Sequence, residues 1–104
     1  MTYSLNQLVN KVEQWSKDKE LDQADSKAQF TKSVEEMGEI ASALCRNDKE
    51  ALRDGIGDVI VTLIILAQQN NMTLYECLST AYEEIKNRKG KMVNGTFVKS
   101  DDFR

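Results

Sequence analysis

Histidine is absent from this 104-residue chain, and so is proline. Without an imidazole there is no Ser-His or Cys-His nucleophile system, no His-rich zinc site and no imidazole proton shuttle. Any chemistry rests on carboxylates, lysines, hydroxyls or thiols. The Glu-x-x-His pairs of di-iron helix bundles fall to the same absence. Cysteine is scarce: Cys45 and Cys77 belong to no CxxC pair, so zinc and dithiol redox sites are disfavoured. Each reads as a small buried apolar residue, and the lack of a disulfide framework fits a reducing cytoplasm. Long apolar runs are missing too. The longest, Val59 to Ala67 with Thr62 inside it, is nine residues, where a membrane span needs about 20. The first residues, Met-Thr-Tyr-Ser-Leu-Asn, lack the basic and apolar regions of a signal peptide. Fourteen Lys+Arg against seventeen Asp+Glu leave a net charge of −3, so no overall basic field points to a nucleic-acid polymer or a membrane surface as partner. The length leaves room for one core, and a single domain over residues 1–104 is expected.

What is present, 40% hydrophobic and 30% charged residues, suits a soluble helix-rich chain. Leu5, Leu8, Val12 and Trp15 fall on one helical stripe behind a Ser4/Gln7 capping box, so a helix is expected over about 4–17. A polar loop follows over about 18–25. Phe30, Val34, Met37, Ala41 and Leu44 recur at steps of 4, 3, 4 and 3, the stripe of an amphipathic helix over about 26–46. Arg46-Asn47-Asp48 stops it and starts a third helix over about 48–70, striped by Leu52, Ile56, Val59, Leu63 and Leu66. The second half of that helix is apolar all round, which requires burial on every side. Four short helices offer too little protein for that, so a homo-oligomer is expected. Thr73 and Glu76 open a fourth helix with Leu74, Leu78, Ala81 and Ile85 as its core stripe, ending near Gly90. Asn94-Gly95 between two β-prone runs signals a hairpin. The expected fold is an all-α antiparallel helix bundle, completed by oligomerisation, with a C-terminal β-hairpin or extended tail.

The second helix carries Glu35, Glu36 and Glu39, and the third begins with Asp54 and Asp58. At about 100° per residue, Glu36 and Glu39 lie roughly 60° apart and Asp54 and Asp58 about 40° apart. If the two helices pack antiparallel across their short turn, the pairs face each other. Clustered carboxylates repel unless a cation enters. Oxygen-only ligation suits Mg²⁺ or Mn²⁺, which keep waters and take phosphate oxygens, so the implied substrate is a phosphate ester or anhydride. A solvated acidic face is the alternative. Gly38, Gly55 and Gly57 each cost about 1 kcal/mol in a helix interior, which close approach of a helix or of a ligand would explain.

Glu36-x-x-Glu39, followed by Gly57-Asp58-Val-Ile, resembles the MazG-like all-α nucleoside triphosphate pyrophosphohydrolases, whose signature is Glu-Glu-x-x-Glu, a spacer, then Glu-x-x-Asp. The resemblance covers about residues 30–70. Asp54-Gly-Ile-Gly-Asp-Val-Ile-Val and Glu84-Ile-Lys-Asn-Arg-Lys-Gly look like the small phage or prophage-type members. The family implies Mg²⁺-dependent cleavage between the α and β phosphates of a nucleotide, giving the monophosphate and pyrophosphate, and a homodimer or homotetramer in the cytoplasm. It implies Glu36, Glu39 and Asp58 as metal ligands, with Glu35 as a further ligand or water-activating base. Gly55 stands where the family has the Glu of Glu-x-x-Asp, and Asp54, on the face of Asp58, offers an oxygen in its place. Lys86, Arg88, Lys89 and Lys91 would clamp the outgoing phosphates, although basic residues there also complement a helix dipole. Asn87 would bond sugar or base. Trp15 and Tyr82 would stack a base, or else serve as core aromatics. The readings that compete with this enzyme are a non-catalytic nucleotide- or metal-binding helical oligomer or scaffold, and a phosphoribosyl-ATP pyrophosphohydrolase, which shares the fold.

Overall fold

The computed structural model describes residues 2–100. Among them four α-helices are followed by a two-stranded hairpin: α1 (Leu5–Asp18), α2 (Ser26–Cys45), α3 (Lys49–Gln69), α4 (Leu74–Ile85), β1 (Gly90–Val93) and β2 (Thr96–Lys99), with a 3₁₀ turn at Leu21–Gln23 between α1 and α2. Helix starts follow their caps. The Ser4 hydroxyl accepts from the Gln7 amide at 3.1 Å while the Gln7 side chain accepts from the Ser4 amide at 2.8 Å. Asp25 and Asp48 each accept from the amide three residues on, at 3.0 Å. Each such cap satisfies an orphan donor and is worth about 1 kcal/mol. Asn47 and Asn71 take left-handed backbone angles just past α2 and α3 and end them.

The chain divides into two compact units, with the boundary between Leu74 and Tyr75. In the first, α2 and α3 form an antiparallel pair. Ser33 meets Thr62 and Ile40 meets Gly55, so positions rising along one helix meet positions falling along the other. The contact is close because it is made by small residues. Ser33 (0% exposed) and Ala43 (1%) face α3, and a Cβ on Gly55 would lie 3.0 Å from Ile40 Cγ1. The buried Ser33 hydroxyl lies 2.8 Å from that of Thr62, which donates to the Val59 carbonyl at 2.7 Å. Gln68 and Gln69 at the end of α3 donate to the Glu13 carbonyl (3.1 Å) and the Leu21 carbonyl (2.9 Å), tying α1 and the 3₁₀ turn to α3.

The packing faces of α1 and α2 differ from the apolar stripes expected. On α2, Phe30, Val34, Met37 and Leu44 are about half exposed or more, and Ser33, Ile40 and Ala43 take the inward side. On α1, Leu5, Leu8 and Trp15 are exposed and Ser16 is fully buried. Small side chains let two helix backbones approach, and the larger apolar groups are turned outward. In the apolar second half of α3, Thr62, Ile64, Ile65 and Ala67 are buried within the single chain, Leu63 and Leu66 are half-buried, and Ile60 is 42% exposed, so one chain covers most but not all of that segment. Cys45 and Cys77 are exposed free thiols rather than core residues, Cys45 lying at the last position of α2 beside outward-facing Leu44.

In the second unit α4 stops at Ile85, five residues before Gly90, and the Arg88 amide closes a turn onto the Ile85 carbonyl at 2.9 Å. Gly90 instead opens β1, where a methyl would run into the Val98 carbonyl and the Phe97 ring. The strands pair antiparallel with Met92 opposite Phe97. Asn94 and Gly95, both at positive φ (50° and 80°), make the two-residue turn that such a hairpin requires.

Candidate metal centre and adjoining clefts

The antiparallel pairing of α2 and α3 sets their carboxylates against one another. Ser33–Thr62 and Ile40–Gly55 bracket the pair Glu36 and Asp58, so a one-turn slip would part them. One oxygen each from Glu36, Glu39 and Asp58 lie within 4.8 Å of one another. Glu36 is 12% exposed at its side chain. Its Oε1 faces Lys32 Nζ at 3.5 Å, while Oε2 is buried with no hydrogen-bond partner among the described residues. A buried polar oxygen without a donor costs about 1–3 kcal/mol in folding. Its neighbours deepen the cost. The charge of Glu36 above all, with a smaller push from Asp58 and opposed by Lys32, raises the Glu39 carboxyl above its ordinary range. Partial burial, then the charges of Asp54 and Glu36, raise Asp58. Three hard oxygens, on carboxylates of which Glu36 also holds an orphaned atom, fit a divalent cation such as Mg²⁺ or Mn²⁺.

A carboxylate whose folded pKa lies above its unfolded value adds stability that is fully present below the unfolded pKa and is lost as pH rises through the folded one. The metal-free protein is therefore expected to lose the Glu39 and Asp58 contribution on going from acid toward neutral pH, and millimolar Mg²⁺ to restore it. Melting curves with and without Mg²⁺ should diverge between pH 4 and pH 7.5. Parallel curves would contradict the site.

Asp54 lies outside the three-oxygen group, near enough to Asp58 for its charge to act there. It lines a polar cleft of about 300 Å³ with Glu39, Ser42 and Arg46. Glu35, also outside the group, is 64% exposed at its side chain and lies 3.9 Å from Lys32 Nζ. On the other side of the carboxylates a cleft of about 330 Å³ is lined by Glu36 and Asp58 together with Trp15, Gln29, Lys32 and Val61. Trp15 thus shares a cleft with two of the carboxylates. It also borders an apolar cleft with Leu8, Val12 and Val61.

The basic run belongs to the second unit. Lys86 pairs with Glu83 at 2.7 Å. Asn87, Arg88 and Lys89 line a cleft of about 460 Å³ with Glu84 and Lys99, and the Ser100 amide donates to the Lys89 carbonyl at 2.7 Å. These residues follow α4 rather than ending it, and Lys91 lies in β1. Tyr82 is exposed on α4.

Lys32, Gln29, Ser42 and Arg46 were not among the candidates drawn from the sequence. The signal was there: Gln29, Lys32, Glu36, Glu39, Ser42 and Arg46 recur at steps of 3, 4, 3, 3 and 4, a polar stripe along α2 that runs beside the stronger apolar one.

A protein of Haemophilus phage HP1 (strain HP1c1), described as an uncharacterized 18.2 kDa protein in the rep-hol intergenic region, is 39% identical over 69 residues. The match covers 65% of this chain and 42% of that protein, so the chain spans less than half of the relative's length. No solved structure matches the chain. Among the described residues no helix is long and apolar enough to cross a membrane. The family model of the MazG nucleotide pyrophosphohydrolase domain matches residues 25–93, which takes in the whole carboxylate cluster and the basic turn. With two thirds of its length inside that match, the chain belongs to the MazG nucleotide pyrophosphohydrolase family.

Proposed function

We propose that this protein hydrolyses a nucleoside triphosphate, NTP or dNTP, between its α and β phosphates, releasing the monophosphate and pyrophosphate. The observation that carries the reading is the meeting of Glu36, Glu39 and Asp58 oxygens from two helices within 4.8 Å, one carboxylate holding a buried, unpartnered oxygen. Glu36, Glu39 and Asp58 would hold Mg²⁺ or Mn²⁺, with Asp54, whose charge acts on Asp58, as the candidate for a fourth ligand. Such an ion neutralises phosphate charge and lowers the pKa of a bound water. Glu35, left outside the three-oxygen group, is the base that accepts the proton of the attacking water. The water oxygen bonds to the α phosphorus, the bond to the bridging oxygen breaks, and the electron pair leaves with pyrophosphate. Lys32 adds positive charge beside the same cleft. Trp15 supplies a ring face for the base, with Tyr82 a second candidate. Lys86, Arg88, Lys89 and Lys91 offer cations to phosphate oxygens, and Asn87 a hydrogen bond to sugar or base. Because the family match runs across the boundary between the two units, we take residues 1–104 to act as one domain in the cytoplasm, where nucleotides are found.

A screen for pyrophosphate release over NTPs, dNTPs and modified nucleotides, with Mg²⁺ and with Mn²⁺, tests the reaction. Release from at least one of them supports it. Nucleotide binding without turnover would instead select a non-catalytic module.

Phe30, Val34, Met37 and Leu44 on α2 and Leu5 and Leu8 on α1 turn large apolar side chains to water, the kind of surface that marks an interaction site where it is contiguous. We propose that further copies of the chain cover them in a homodimer or homotetramer. Light scattering should then give a mass of two or four times 11.8 kDa. A single-chain mass at micromolar concentration would rule this out.

A further inference from the structure

We propose, on the basis of the pyrophosphohydrolase reading, that the substrate lies lengthwise along the polar stripe of α2, its nucleoside toward Gln29 and Trp15 and its two terminal phosphates toward Ser42 and Arg46. Arg46 is then the residue that selects a triphosphate tail.

The carboxylates sit at the junction of two clefts of unlike character. The cleft of Glu36 and Asp58 has aromatic and apolar walls in Trp15 and Val61. It also holds the Gln29 amide, whose nitrogen donates to the Thr62 carbonyl at 3.0 Å, which fixes the amide's orientation. Its oxygen is left as an acceptor for a base N–H. The cleft of Glu39 and Asp54 is polar, and the one cationic side chain among its lining residues is Arg46. A base fits the first and a phosphate tail the second.

Connectivity fixes the order. The bond to be broken lies at the carboxylates, the α phosphate is tied to the nucleoside, and the β and γ phosphates must continue to the other side. Seven residues separate Glu39 from Arg46, about 10 Å of helix, a span that two phosphates and an arginine side chain bridge together. The Arg46 side chain is 59% exposed, and its only ion pair among the described residues is a loose one, Nη2 to Asp48 at 3.7 Å, so most of its five donors remain for phosphate oxygens. Without Arg46 no cationic side chain of this cleft would face the tail beside Glu39 and Asp54.

Calorimetry on the full chain with Mg²⁺ tests the orientation with inorganic pyrophosphate, tripolyphosphate and nucleoside monophosphates as probes. In Arg46→Ala, pyrophosphate and tripolyphosphate should bind about tenfold or more weakly, as loss of a charge-assisted pair implies, and monophosphates within about twofold of the parent. Arg46→Lys, which keeps the charge and the fold but not the fork, should fall between. Gln29→Leu should do the reverse, weakening monophosphates alone. Unchanged pyrophosphate affinity in Arg46→Ala and Arg46→Lys, or a loss confined to monophosphates, would overturn the orientation while leaving the reaction standing. A parent chain that hydrolyses no triphosphate would remove the reaction itself.

Discussion

Replacing Asp58 with asparagine is expected to stabilise the metal-free protein at neutral pH and to lower the proposed pyrophosphohydrolase turnover steeply. Both effects have one cause. Partial burial and the nearby charges of Asp54 and Glu36 penalise the ionised Asp58. Asparagine keeps the shape and discards the charge, so melting at pH 7.5 without divalent cation should move upward. The same charge is what a divalent cation requires, and a phosphate would be held through that cation. Losing one ligand of an electrostatic centre lowers turnover on the order of 10²–10³-fold. Glu39→Gln should behave alike, because its carboxyl is also raised, chiefly by Glu36. Sites that trade stability for chemistry show this opposition. A thermal melt and a pyrophosphate-release assay on the same preparations read both. A variant that is both less stable and fully active would contradict the role given to Asp58.

The second large effect is expected at Gly55. A Cβ there already approaches Ile40 Cγ1 at 3.0 Å, so Gly55→Leu must push α2 from α3. Overpacking of this kind costs about 1–3 kcal/mol, and it should also part Glu36 from Asp58, three residues along the same helix from Gly55. Urea unfolding should show the lost stability, and Mg²⁺ should no longer raise the melting temperature. Gly38 and Gly57 serve as the contrast, since nothing lies within 4 Å of a Cβ at either. Gly38→Ala and Gly57→Ala should gain up to about 1 kcal/mol from helix propensity. A Gly55→Leu protein as stable as the parent would show that the close approach of α2 and α3 is dispensable.

These three glycines show where the sequence speaks and where it falls silent. Their cluster beside the carboxylates is legible, but only the packing separates Gly55, pressed against Ile40, from two with open space around them. Caps are local chemistry, and Ser4, Asp25, Asp48 and the Asn94-Gly95 turn stand where the residues themselves indicate. The inward face of α2 is another matter. Periodicity reports which residues are apolar, and Phe30, Val34, Met37 and Leu44 give the strongest period on that helix. What decides the contact is how near two backbones can come, and that favours Ser33, Ile40 and Ala43 against Gly55 and Thr62. Rotating α2 in this way carries Glu36 inward, which is why its orphaned oxygen could not be foreseen from spacing alone. Gly90 misled for a similar reason. A glycine after a helix suggests a C-cap, whereas here it answers to the carbonyl of Val98 and the ring of Phe97 across the hairpin.

Acidic groups from two helices sharing one divalent cation is the claim on which the rest depends, and Mn²⁺ titration followed by electron paramagnetic resonance tests it without relying on turnover. The parent chain should bind Mn²⁺ and release it to excess Mg²⁺, and Glu36→Gln and Asp58→Asn, one change on each helix, should each weaken binding at least tenfold. Binding that is indifferent to either change would place any ion elsewhere and contradict the account.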